Sequence, residues 1–188
     1  MEIIDKIKYI IGTYFLKKEI EKRQRVKRIT NIADAKTIGI LYELSDVERY
    51  GIISDFVKSL QDKQKIVKAL GYIPAKIVPH YCFPKISFDF FTQKDLNWYY
   101  KPINKRVYDF INTEFDILID LTTDKIFPLE YIATLSSAKF KTGRKDHSKA
   151  DDKQLYDLMI DIEKNKTVLT FIKHIDYYLS IINKKNDQ

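Results

Sequence analysis

Three carboxylates in this chain close hydrophobic runs: Glu43 after TIGILY, Asp120 at the end of FDILID, and Asp161 at the end of YDLMID. Thr122 and Thr123 follow Asp120 closely. If these runs are parallel strands, their carboxyl ends share one edge of a sheet, and ligands of open α/β folds bind outside that edge. Carboxylates gathered there could serve as acid, base or metal ligand. Glu43, Asp120, Thr122, Thr123 and Asp161 are therefore the candidate crevice residues. No nucleophile–base pair accompanies them, and carboxylates at strand ends also cap helices or face water, so no catalytic residue is assigned.

The other reactive residue types are sparse. Cys82 is the single cysteine, which excludes an internal disulfide and any C-x-x-C zinc spacing. His80 shares a strand face with Cys82 at i, i+2, but no third group orients the pair; a buried thiol beside Tyr81 and Phe83 is the plainer reading. His147 and His174 are isolated, and His174 does not share a helix face with Asp176. The turn after the first run, YELSD, holds no glycine, so neither a dinucleotide fingerprint nor a P-loop is present. No metal and no cofactor is expected.

Charge carries more information. The net charge is +7, and residues 1–30 hold nine Lys/Arg against four Asp/Glu, a local +5 that leaves only +2 for the remainder. The excess points to an acidic partner such as RNA, a phospholipid surface or an acidic protein. Lys17, Lys18, Lys22, Arg23, Arg25, Lys27 and Arg28 are the candidate partner-binding residues. Lys139, Lys141, Arg144, Lys145 and Lys149 extend the patch only if the fold brings them alongside.

Elements must position these groups. Ile3, Ile7, Ile10 and Tyr14, with Ile4, Ile11 and Phe15 beside them, follow helical spacing and predict one long helix over 2–28, its basic residues crowding the last turns. The stripe either packs on this protein's own body or docks on a groove or membrane surface. Strand and helix then alternate: a strand over 37–44, a helix with Ser45 as N-cap and Glu48 reaching back, burying Val47, Tyr50, Ile53, Phe56, Val57 and Leu60, and a strand over 66–70 ended by Gly71. The stretch 72–91, with Pro74, Pro79 and Pro84, reads as short edge strands and turns. A helical turn over 94–100, a helix through Val107, Phe110 and Ile111, the βαβ unit 115–143, a charged exposed loop over 143–153, a strand over 155–162 and a closing helix ending in Lys184 and Lys185 complete the chain. FDILID and YDLMID echo each other and read as two buried parallel strands.

This alternation predicts an α/β fold, a three-layer Rossmann-like domain with a mostly parallel sheet over 35–188, preceded by a basic amphipathic helical extension over 1–34. The basic N-terminal helix, FDILIDLT and PLEYIATLSSAKFKTGR together resemble a family of small uncharacterised proteins from Bacteroidota. Residues 115–144 separately resemble the first domain of lipopolysaccharide heptosyltransferases, which implies a Rossmann-like half of a two-domain glycosyltransferase; 188 residues are too few for the second half. The charge of residues 1–30 makes a non-enzymatic adaptor the leading expectation. It would dock through the basic helix on a larger protein or ribonucleoprotein assembly, cytoplasmic or at the inner membrane. A small enzyme with a crevice near Asp120 is the alternative, and a peripheral membrane protein held by residues 3–15 the second. No secretory signal is read at the N-terminus, and no apolar run of 18 residues is present.

Overall fold

A computed structural model describes residues 3–82, 86–148, 155–162 and 164–182. Six strands form one sheet, all parallel, in the order β3-β2-β1-β4-β5-β6. They are β1 (Thr37–Glu43), β2 (Ile66–Ile73), β3 (Phe88–Thr92), β4 (Ile117–Asp120), β5 (Phe140–Arg144) and β6 (Leu158–Ile160). The helices are α1 (Ile3–Ile20), α2 (Val47–Asp62), α3 (Lys105–Asn112), α4 (Phe127–Leu135) and α5 (Val168–Ile181). Alternation of side chains along each strand divides the core in two. Ile38, Ile40 and Tyr42 of β1 face α2 and α5, while Leu41 and Leu118 face α3 and α4, with Leu16 of α1 in the same cluster. The result is a three-layer, Rossmann-like α/β fold whose strand order reverses between β1 and β4.

The echo of FDILID and YDLMID marks two matching strand entries. Asp116, before β4, accepts from the backbone N–H of Lys36 and Thr37 at 2.9 and 3.1 Å and from Lys139 Nζ at 2.9 Å. Asp157, before β6, accepts from the backbone N–H of Lys141 at 2.9 Å and from Arg25 Nη2 at 2.5 Å. The aromatic residue ahead of each aspartate lies on a glycine of the neighbouring strand. A Cβ at Gly39 would stand 2.7 Å from the Phe115 ring, and one at Gly143 would stand 2.5 Å from the Tyr156 ring. Each motif therefore joins its strand to the neighbouring one, the carboxylate holding the backbone and the ring filling the glycine's hollow. The two strands differ in depth: β4 is buried throughout, whereas β6 lies at the edge and only Ile160 is fully buried.

Several local expectations are corrected. The first helix ends at Ile20 rather than near residue 28. Arg23 and Arg25 alternate along non-helical backbone and turn toward the body, while Lys27, largely exposed, reaches back to Asp157 with its ammonium; a helix would fan them apart. Asp46, not Ser45, caps α2, accepting from Arg49 N at 2.8 Å while Ser45 Oγ donates to Asp46 at 2.6 Å. Val47 is exposed. Gly71 does not end β2, because it pairs with both Tyr42 and Phe90 and the strand continues to Ile73. Between 93 and 100 only Gln93–Asp95 is helical, as one 3-10 turn held by a Thr92–Asp95 capping box. Gly143 and Arg144 belong to β5 rather than to a loop. Phe83, Pro84, Lys149, the rest of the loop to Lys153, Lys184 and Lys185 lie outside the described residues.

Candidate functional site

The carboxyl edge of the sheet does not gather its carboxylates into one site. Glu43 and Asp120 end neighbouring strands, β1 and β4. Asp161 follows β6, beyond the intervening β5, and pairs with His147 at 3.1 Å beside Asn165 and His174. Asp120 is 2% exposed. It accepts from Thr122 N at 2.8 Å, from Thr122 Oγ1, and from Tyr156 OH at 2.6 Å. Burial raises its pKa, and the Thr122 and Tyr156 hydrogen bonds oppose that rise. The cavity beside it, about 50 Å³, holds little more than a water molecule, far below the few hundred Å³ of a ligand pocket. Asp120 thus ties the turn after β4 to the entry of β6.

At the switch point between β1 and β4, where a dinucleotide would lie, α2 inserts Arg49. Its Nη2 donates to Leu121 O at 3.4 Å and to Thr123 Oγ1 at 3.3 Å. Burial lowers the Arg49 pKa, while the surrounding Glu43, Asp46 and Asp124 raise it. Burial likewise raises Glu43, with Arg49 acting against it. Thr123 is therefore engaged by the protein itself. Arg49 was not foreseen as a site residue, since a capping motif gives no sign of where its third position reaches. Cys82 is buried in the α2/α5 core, and its thiol is pushed up by burial. Among the described residues no cluster of three or more His, Cys, Asp or Glu stands within reach of a metal ion.

The N-terminal helix seats a mixed face inward, with Leu16 in the core and polar groups on either side of it. Asp5 accepts from Tyr100 OH at 2.5 Å, Glu19 accepts from Lys101 Nζ at 2.5 Å, and Tyr9 packs edge-on against Phe127 with centroids 5.2 Å apart. Gly12 permits the approach: a Cβ there would stand 2.7 Å from Phe127 and 2.8 Å from Tyr99 O. The apolar stripe consequently faces away from the body. Ile3 is 77% exposed and Ile10 66%, with Ile4, Ile7, Tyr14 and Phe15 exposed beside them. Phe15 stacks on Tyr99, against which exposed Trp98 stands edge-on, so the patch runs past the helix. Lys6, Lys17 and Lys18 are also exposed. Among the described residues no helix is long and apolar enough to cross a membrane.

Past α1, residues 23–30 form an extended strap along the amino edge of the sheet. Arg23 donates to Leu135 O at 2.9 Å and Asn112 Oδ1 at 3.1 Å, Arg25 and Lys27 share Asp157, and Arg28 N bonds Lys139 O at 3.1 Å. Lys141, 3% exposed, points from β5 to the end of α4 and donates to Ala133 O at 2.7 Å and Thr134 O at 3.0 Å. Arg23 and Lys141 together cap three terminal carbonyls of α4, the favourable end for cations. Of the predicted partner-binding residues, Lys17, Lys22, Arg23, Arg25, Lys27 and Lys141 line one groove of about 800 Å³. Lys18 lies on the outer face over the Tyr14 ring, and Arg144 lines the small cavity near Asp120 with Lys145 next to it. The signal overlooked in the sequence is the period-two spacing of Arg23, Arg25 and Lys27, which reads as strand rather than helix.

A Rossmann-like sheet with a plugged switch point and a basic, apolar-faced first helix is the class of protein this geometry defines. The chain belongs to a family of unknown function, DUF6913, whose model matches residues 8–182. No curated protein and no solved structure matches the chain.

Proposed function

We propose that the protein is a non-enzymatic interaction module that docks through α1 on a larger cytoplasmic or membrane-associated assembly. One observation carries this reading: α1 packs on its own body through Asp5, Tyr9, Gly12, Leu16 and Glu19 and leaves its isoleucine stripe outside. Exposed apolar patches of this extent mark interaction surfaces. The inward acids Asp5 and Glu19 are consumed by Tyr100 and Lys101, so the outward face is left with Lys6 and Lys18 around the stripe. A partner with an apolar groove and an acidic or phosphate-bearing rim matches both properties, and an RNA-containing assembly is one such partner.

The heptosyltransferase-like alternative, and with it an enzyme acting near Asp120, has less support. Arg49 fills the switch point, and the cavity at Asp120 is too small for a sugar nucleotide. The resemblance, like the Bacteroidota-type family it accompanies, informs the fold rather than an activity.

Rate-zonal sedimentation of a native lysate tests the docking reading. Wild-type protein should travel with a fast-sedimenting fraction, and Ile7→Glu with Ile10→Glu should return it to the top of the gradient. Nuclease and detergent arms then identify the fraction as ribonucleoprotein, membrane or protein. Wild-type protein at the top of a low-salt gradient, or a double variant that sediments unchanged, would reject the reading.

A further inference from the structure

We infer that the groove between α1, the strap and the end of α4 is a phosphate-binding site, on the sheet edge opposite the usual nucleotide crevice. The inference does not depend on the docking reading, because the groove and the apolar stripe occupy different faces of α1. Six cations, Lys17, Lys22, Arg23, Arg25, Lys27 and Lys141, line a space of about 800 Å³, enough for a nucleotide-sized ligand. Three carboxylates stand against them, Glu130, Asp157 and Glu19, the last shared with Lys101, together with the end of α4, which is equivalent to roughly half a negative charge. With Lys141 only partly charged near neutrality, the groove still keeps a net positive charge, carried chiefly by the exposed Lys17 and Lys22.

The buried groups make the site more than a basic surface. Arg25 spends one guanidinium nitrogen on Asp157, while its Nη1 is buried with no hydrogen-bond partner among the described residues. An unpaired buried donor on a cation is costly to keep, and an anion relieves it. Lys141 is enclosed beside Arg25, Lys27 and Arg23; burial first, and those cations next, draw its pKa down to about 7. Burial is the larger cause and Asp157 opposes the shift, but the part owed to Arg25, Lys27 and Arg23 is a positive field that also favours an anion, and a bound dianion would restore the proton. A guanidinium with a donor to spare and an adjacent ammonium match phosphate oxygens. The phosphoryl group could be carried by a free nucleotide or by an RNA strand, and the chemistry recognised is the same.

The test is isothermal titration of the full chain at pH 6.5 with inorganic phosphate, AMP and an eight-residue oligouridylate, each against sodium chloride of equal ionic strength. Binding in at least one arm is expected. Phosphate or AMP binding assigns a small-molecule site, and binding of the oligonucleotide alone assigns a strand. Lys17→Glu with Lys22→Glu, both exposed and outside the core, should weaken binding at least about tenfold, the loss expected for removed charge-assisted contacts. The affinity difference between wild type and Lys141→Met should shrink between pH 6.5 and 8.5 as Lys141 loses its proton, the second ionisation of the phosphate being common to both proteins. Ile7→Glu with Ile10→Glu should bind phosphate as wild type does, which separates this site from the docking face. No binding above chloride in any arm, or binding unchanged in the Lys17/Lys22 double variant, would overturn the inference.

Discussion

Two charged side chains show how the same fold places opposite demands on single residues. Partial burial of Asp116 pushes its pKa up, but hydrogen bonds from Lys139 and from the backbone of Lys36 and Thr37 outweigh it and bring the carboxyl down to about 2. An unfolded aspartate titrates near 4, so the stability Asp116 contributes is complete above about pH 4 and is lost as pH falls toward 2. Asp116→Asn should cost about 2 kcal/mol at pH 7 and show a shallower acid limb, as read by urea denaturation at pH 7, 4 and 3. Lys141 works the other way. Its folded pKa lies below the unfolded value near 10.4, so the unfolded chain binds more protons between these values and stability rises with pH from about 7 toward 10. Lys141→Met should lack that rise, measured by denaturant midpoints at pH 6.5 and 9.5. Neither demand was visible in the sequence, where Asp116 is one of two aspartates in a motif and Lys141 one of many lysines; both depend on which strand lies alongside.

At the scale of elements, α1 is the informative case. Its apolar periodicity was legible, and so was the helix itself, but the side that packs was not. The stripe that looks like a core face is outside, because Gly12, Tyr9 and Asp5 fit Phe127, Tyr99 and Tyr100 more closely than a row of isoleucines could. Ile7→Glu and Ile10→Glu should each change stability by less than about 0.5 kcal/mol, as exposed positions do. Gly12→Val should destabilise by several times that amount, since its side chain meets a ring and a carbonyl; chemical denaturation of the three variants decides between them. The strap was misread for a related reason. Basic residues at a helix end are common, and only the targets on the body, Leu135 O and Asp157, show why the chain is extended there. In contrast, α3 and α5 were legible because their apolar faces do pack inward, through Val107, Phe110 and Ile111 and through Phe171, Ile175 and Leu179.

For the molecule as a whole, alternation of strand and helix was enough to reach the layered sheet, since few topologies accommodate it. The order of strands and the fate of the crevice were not, because they rest on one arginine side chain and on partners distant in sequence. The central strands β1 and β4 are buried, while β3 and β6 are edges with fewer neighbours. Native-state hydrogen exchange should accordingly be slowest in Ile38–Leu41 and Ile117–Ile119 and fastest in Leu158–Ile160, with β3 between. Fast exchange in β1 would contradict the arrangement. The two edges of the sheet also divide the chemistry: the carboxyl edge is plugged by Arg49 and tied by Asp120, and the amino edge carries the basic groove.

The seating of α1 on α4 has a consequence for the order of events during synthesis. Roughly 100 residues separate the end of α1 from Phe127, against which Gly12 and Tyr9 lie, and a ribosome adds about 5–20 residues per second. The Tyr99–Lys101 turn follows α1 by roughly 80 residues, so for about 4–16 s the nascent helix has neither that turn nor α4 to rest on, and both of its faces are open. A partner that binds the isoleucine stripe can meet it before the domain exists, so assembly could begin on the growing chain and be completed when α4 arrives.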